Sequence, residues 1–237
     1  MKKKIVNKMA VLLLAEGGVR HKDQRVTFTN TTEVLQKVFR DLAKDLGYKV
    51  CRKNSKQFEV FSKPLCETLF DLSTSFRTMP CATGQQNACP VTKGTSQLGP
   101  SCKRCKPIGF DEKFYPPASF PKSVLKAGPK ETAEYLKIFC SCDGGPVVGS
   151  DKRNDEVIVR VGHPILRHQI IQMFKKVDIK VGVRGTSLVF IKRKSEIKKF
   201  HEKIGFIKGL KTVRGSHKGT EKNKLVRDIL KRHYHLV

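Results

Sequence analysis

The period of the apolar positions changes repeatedly along this chain, and the same succession of periods is written twice. Residues 3–15, once past Lys3 and Lys4, are almost continuously apolar, broken by Asn7 and Lys8, which predicts a largely buried helix. It runs into Glu16-Gly17-Gly18, where glycine is expected to end it by taking the positive φ of a helix C-cap. In residues 25–29, Val26 and Phe28 alternate with Arg25, Thr27 and Thr29, the period of a half-buried strand whose polar face is free to touch a ligand. Val34, Leu35, Val38, Phe39, Leu42, Ala43 and Leu46 then recur at helical spacing, so residues 32–46 form an amphipathic helix closed by Gly47. Residues 48–53 and 57–61 read as strands, and Pro64, suited to a first helical turn, opens a shorter helix to about Leu72.

A second copy of this order begins near Pro129. Residues 130–142 form its first helix, and Asp143-Gly144-Gly145 matches Glu16-Gly17-Gly18 in position and kind. Val157, Val159 and Val161 alternate as a strand; Leu166, Ile170, Phe174 and Val177 mark a helix; residues 179–184 and 187–191 are strands; Ile197, Phe200 and Ile204 mark a closing helix. A helix over about 220–233 is an addition beyond the repeat. The segment between the copies is rich in Pro, Gly, Ser, Thr and Cys and has no period, so it reads as a linker or small insertion. The expected organisation is a repeat over 1–78, a linker over 79–128, and a second repeat with a helical extension over 129–237.

Composition adds a partner class. The 237 residues carry 48 Lys+Arg against 21 Asp+Glu, a formal charge of +27, and the excess continues to the C-terminus. Lysine enriched by genome composition or thermal adaptation normally comes with matching acids. A polyanion is the expected partner, above all nucleic acid, whose phosphates repeat along a line and reward many cationic contacts at once. No apolar stretch is long enough to span a bilayer, so no membrane partner is expected. The basic start followed by residues 10–15 resembles a signal peptide superficially, but Asn7 and Lys8 interrupt it and Glu16 ends it, so an intracellular, cytoplasmic protein is expected.

On these residues the chain resembles the LAGLIDADG homing endonucleases, named for a nine-residue motif at a helix end whose eighth residue is an acid and ninth a glycine. The first copy is Met9-Ala10-Val11-Leu12-Leu13-Leu14-Ala15-Glu16-Gly17, and the second is Leu136-Lys137-Ile138-Phe139-Cys140-Ser141-Cys142-Asp143-Gly144. Val11 and Ile138 stand where the family usually has glycine, while Ala10, Ala15, Ser141 and Cys142 are small enough to let two helices approach. The resemblance covers nearly the whole chain except the cysteine-bearing segment.

What the resemblance implies is an α+β fold of two tandem αββαββα repeats related by a pseudo-twofold axis, with a saddle of sheet over double-stranded DNA. A monomer would cut both strands of a long asymmetric site by phosphodiester hydrolysis. Glu16 and Asp143 would meet as metal ligands, with the Gly17 and Gly144 backbone oxygens. Two adjacent carboxylates cannot both stay ionised without a cation, and Mg2+ suits oxygen donors that also take phosphate. The plain alternative is a solvated carboxylate at a helix end, which is electrostatically unfavourable there because a helix C-terminus is already partly negative. Asn30 and His163 match the family's water-orienting positions, or else they cap local structure. Arg77, with Lys208 or Lys211, matches basic residues that face the scissile phosphates. Arg20, Arg25, Thr27, Lys49, Lys53 and Gln57 in the first repeat, and Arg160, Lys180 and Arg184 in the second, would contact DNA, or they are solvent-facing charges.

The same fold also allows an RNA maturase that assists intron splicing, or a DNA-binding regulator that does not cut. A ribosome-associated basic protein is a third class, distinguished by tight RNA binding that ignores sequence. Cys81, Cys89, Cys102 and Cys105 lie in the linker and form either a structural Zn2+ site, reduced thiols or a disulfide. Cys51 and Cys66 are expected to pack in the interior, and Cys140 and Cys142 to serve as small residues at a helix contact.

Overall fold

A computed structural model describes residues 2–76, 78, 106–107, 114–115, 117–151 and 154–234. The first unit runs α1 (Lys2–Glu16), β1 (Gly17–Arg20), β2 (Arg25–Thr29), α2 (Glu33–Asp45), β3 (Cys51–Arg52), β4 (Gln57–Phe61) and α3 (Lys63–Leu72). Between the units lie a two-stranded ladder of β5 (Lys106–Pro107) and β6 (Phe114–Tyr115) and the short helix α4 (Lys122–Lys126). These elements are too short to impose a period on the sequence. The second unit repeats the order: α5 (Pro129–Asp143), β7 (Gly144–Val147), β8 (Glu156–Arg160), α6 (Pro164–Lys176), β9 (Gly182–Arg184), β10 (Leu188–Ile191) and α7 (Lys194–Lys203). The helix α8 (Lys222–Tyr234) follows.

Each unit is one four-stranded antiparallel sheet, ordered β1-β2-β4-β3 and β7-β8-β10-β9, with helices on one face. Alternation decides the faces. Val26, Phe28, Phe58 and Val60 turn inward in the first sheet, and Val157, Val159, Val189 and Ile191 in the second, all at most 5% exposed. The intervening residues form an open outer face. The edge strands are shorter than expected because residues 48–50 and 179–181 leave a helix before joining the ladder. Tyr48 N–H is still bonded to the Ala43 carbonyl, and Ile179 N–H to that of Phe174.

Helices α1 and α5 pack side by side at the centre. In α1, the run from Met9 to Leu14 is wholly buried, since one side meets α5 and the other the first unit's own sheet and helices, which explains why this helix reads as an apolar run rather than a stripe. Polar contacts between the two helices set their register: Lys4 and Lys8 reach Glu134 at 3.0 and 2.8 Å, and the Asn7 amide donates to the Tyr135 hydroxyl at 3.2 Å. Valine and isoleucine at the motifs' third positions do not prevent this packing.

The glycines after the two motifs work differently from the expected C-cap. Neither Gly17 nor Gly144 has positive φ; each helix passes directly into the first strand of its unit. Glycine is required there by close approach. A Cβ on Gly17 would lie 2.7 Å from the Thr27 carbonyl oxygen, and one on Gly144 would lie 2.6 Å from that of Cys140 and 2.9 Å from that of Ile158. Gly47, with φ of +85°, does end its helix as expected. Among the described residues, no helix is long and apolar enough to cross a membrane.

Candidate nuclease site

Helices α1 and α5 pack against each other, and their final residues, Glu16 and Asp143, each stand directly before the first strand of their own sheet. Their carboxyls interact. Asp143 is pushed up to about 8, first by burial of its carboxyl and then by the negative charge of Glu16, while the nearby Lys222 ammonium opposes the rise. Glu16 is also raised by burial, against a hydrogen bond from Asn30 and the charge of Lys222. Solvated helix-end carboxylates would show neither effect.

Asn30 follows β2 and is held on every side. Its N–H donates to the Lys56 carbonyl at 2.9 Å, its side-chain oxygen accepts from Thr32 N–H at 2.7 Å, and its own carbonyl accepts from the Gln36 amide at 2.7 Å. With the oxygen so engaged, the side-chain NH2 is the group that meets Glu16.

Lys222 was not singled out by its sequence. It is the first residue of α8, only 9% exposed, and its ammonium donates to the carbonyls of Ser141 at 3.0 Å and Gly144 at 2.5 Å while lying 5.3 Å from the centre of the Phe206 ring. Burial lowers its pKa, and the nearby thiols and acids resist that change. The only sequence signal is a cation in the first turn of a helix, where the dipole disfavours it. Among 48 Lys+Arg that signal is lost. Residues 207–221 bring Lys222 there by folding back on themselves, with Lys211 bridged to Glu221 and Lys222 N–H bonded to the Leu210 carbonyl.

Beside the pair is a cavity of about 290 Å3 whose lining includes Glu16, Asn30, Lys56, Lys211, Arg214 and Lys222. Of the two candidate lysines, Lys211 lines it, whereas Lys208 is exposed and outside the lining. Arg77, Cys81, Cys89, Cys102 and Cys105 fall outside the described residues.

Of the two readings open for His163, the structure gives the cap. Strand pairing matches Phe28 to Gly17 and Val159 to Gly144, so the counterpart of Asn30 is Val161, and His163 corresponds to Thr32. Both Thr32 and His163 are N-caps, and the His163 Nδ1 accepts from Leu166 N–H at 3.4 Å in a site 1% exposed. Cys51 departs from expectation: it is exposed on edge strand β3, whereas Cys66 and Cys140 are buried and Cys142 is partly so.

The outer sheet faces carry most of the expected DNA contacts. Arg20, Arg25, Thr27, Lys53 and Gln57 share the first face, Arg160 and Arg184 lie on the second, and Lys49 and Lys180 are exposed just before the edge strands. Two carboxylates missed in the sequence sit among them. Glu59, 5% exposed, accepts from Arg25 at 3.1 Å and Gln57 at 2.8 Å, and Glu156, 7% exposed, accepts both terminal nitrogens of Arg184 at 3.0 and 2.9 Å.

Among the described residues there is no group of three or more His, Cys, Asp or Glu side chains that could hold a metal. A cation here would rest on the Glu16 and Asp143 carboxylates, backbone oxygens and a bound phosphate. Burial raises the proton affinity of both carboxyls and the charge of Glu16 raises that of Asp143 further, which fits a site made for a hard divalent ion. The Gly144 carbonyl, however, is engaged by Lys222.

No family model and no curated protein matches the sequence. Solved structures do match. I-DmoI in complex with DNA and Mn aligns at 12% identity with a TM-score of 0.50, over 86% of this chain and 97% of that one. I-WcaI bound to its DNA recognition sequence aligns at 11% identity and 0.48, over 85% and 80%. Full-length DUF199/WhiA from Thermatoga maritima aligns at 11% and 0.49 over 98% of this chain, which spans 61% of that protein's length. With paired helices ending in acids and two sheets of identical strand order, the chain has the fold of the LAGLIDADG homing endonucleases.

Proposed function

We propose that this chain is a DNA endonuclease that lays double-stranded DNA across its two sheets and hydrolyses a phosphodiester in each strand at the Glu16–Asp143 pair. The observation that carries this reading is the effect of the Glu16 charge on Asp143, the two acids that end the packed helices α1 and α5. One chain supplies both acids, so the active form is a monomer. The surplus of 27 positive charges supports a polyanionic substrate.

Glu16 and Asp143 would hold Mg2+, which when bound supplies an activated water and stabilises the leaving oxygen. The chain's own residues do the rest. Asn30 fixes the Glu16 carboxylate through its side-chain NH2, and Lys222 holds a positive charge beside both acids. Lys211 and Arg214 line the adjoining cavity with the charge expected to hold a phosphate.

One observation favours a second reading, in which the chain binds nucleic acid, duplex DNA or intron RNA, without cutting it. Lys222 already provides the acid pair with a cation and occupies the Gly144 oxygen. Incubating the protein and Mg2+ with a randomised duplex library separates the two. Cleaved sites recovered with wild type and lost in Glu16→Gln and Asp143→Asn support the nuclease; tight binding with no cut target supports the second reading.

A further inference from the structure

The open faces of the two sheets bury carboxylates where a DNA-binding surface would be expected to carry only cations and neutral polar groups. Strand register makes Arg25 the counterpart of Glu156 and Glu59 the counterpart of Phe190, so the buried acid stands on β4 in the first sheet and on β8 in the second. The outcomes differ. In the first sheet Arg25 is 17% exposed, its terminal nitrogens taken by Glu59 and Asp23 at 3.1 Å each, which withdraws it from any ligand. In the second, Arg184 keeps 54% of its side chain exposed while Glu156 grips it with both oxygens.

Phe190 completes the mount. Its ring lies over Gly182, where a Cβ would come within 2.4 Å of it, and the Arg184 guanidinium stacks 4.8 Å from the ring centre. The guanidinium is therefore fixed in plane by the ring and in rotation by the carboxylate. Its two terminal nitrogens each spend one hydrogen on Glu156. The edge formed by Nε–H and a remaining terminal N–H faces away from Glu156, and two parallel donors of that kind match the O6 and N7 acceptors of guanine.

We propose that Glu156 is a positioning residue for sequence selectivity: it holds Arg184 as a fixed reader of a base edge and keeps it from serving as a phosphate contact. This rests on the DNA-binding reading above. A phosphate attracts a guanidinium chiefly through net charge, which Glu156 cancels, and moving Arg184 to a phosphate would strand a buried carboxylate. A base edge is recognised through donor geometry, which Glu156 preserves.

The test measures binding of wild type, Glu156→Gln and Arg184→Met to random-sequence duplex across a salt series, and the sites each selects from a randomised duplex library without added metal. Releasing Arg184 in Glu156→Gln is expected to steepen the slope of log affinity against log salt by about 0.9, one more phosphate contact, and to tighten random-duplex binding. It is also expected to lose about tenfold selection for one base. Arg184→Met loses the same selected base without a steeper slope. Glu156→Gln with an unchanged slope and the wild-type selected site overturns the role of Glu156 while leaving DNA binding intact, as does uniformly weaker binding with selectivity kept. A wild-type chain that binds no duplex overturns the DNA reading itself.

Discussion

The Lys222 ammonium donates to the Gly144 carbonyl oxygen at 2.5 Å, joining the start of the last helix to the residue that follows the second motif's acid. This contact ties α8 to the acid pair, so an element outside the repeat contributes to the centre of the molecule. Removing it in Lys222→Met leaves two carbonyls without their donor and two carboxyls without their neighbouring cation. The expected cost is about 2–4 kcal/mol in urea unfolding at pH 7.

Asp143 supplies a pH-dependent signature. Its folded pKa of about 8 lies above the ordinary aspartate value of 3.8, so the folded state holds a proton that the unfolded state has released between those limits. Stability contributed by the protonated carboxyl is present at low pH and lost as pH rises toward 8. Asp143→Asn, which cannot ionise, is therefore expected to stabilise the metal-free protein more at pH 8 than at pH 5, by at least about 1.4 kcal/mol. Thermal melts at the two pH values in chelator measure this.

Gly17 and Gly144 should be intolerant of any side chain, and their neighbours tolerant. A Cβ at Gly144 meets two backbone oxygens within 2.9 Å, whereas one at Gly18 or Gly145 meets nothing within 4 Å. Gly144→Ala and Gly17→Ala are each expected to cost about 2 kcal/mol or more by overpacking against fixed backbone. Gly18→Ala and Gly145→Ala should stay within about 0.5 kcal/mol of wild type in denaturant titration.

Much of this was legible in the chain. Helix and strand periods located the main elements of both units, and two acid-glycine ends marked where the helices meet. What could not be read was set by three-dimensional register. His163 could be read as the match of Asn30 at the end of a second strand or as a cap, and a difference of two positions at the end of β8 makes it the cap. Glu59 and Glu156 look like ordinary strand acids until the faces are paired. Lys222 depends on the path of residues 207–221, which leaves no periodic trace.

The cap assignment for His163 has its own test. His163→Asn keeps an acceptor for the Leu166 N–H and should retain most stability, while His163→Ala should lose about 1 kcal/mol. Cleavage by the folded fraction should be unaffected in His163→Asn, because the ring does not line the cavity beside Glu16. In Asn30→Ala the opposite is expected: a rise in the proton affinity of Glu16 and at least a tenfold loss of cleavage measured on the target selected by wild type.

The claim on which the account turns is that one side-chain acid from each repeat shares a single electrostatic site. Following the Asp143 carboxyl carbon by NMR through a pH titration, in metal-free wild type and in Glu16→Gln, addresses it without requiring a target sequence. Titration near 8 in wild type, falling clearly when Glu16 is made neutral, is the predicted result. An Asp143 that titrates near 4 in wild type, or at the same pH in both proteins, would contradict it.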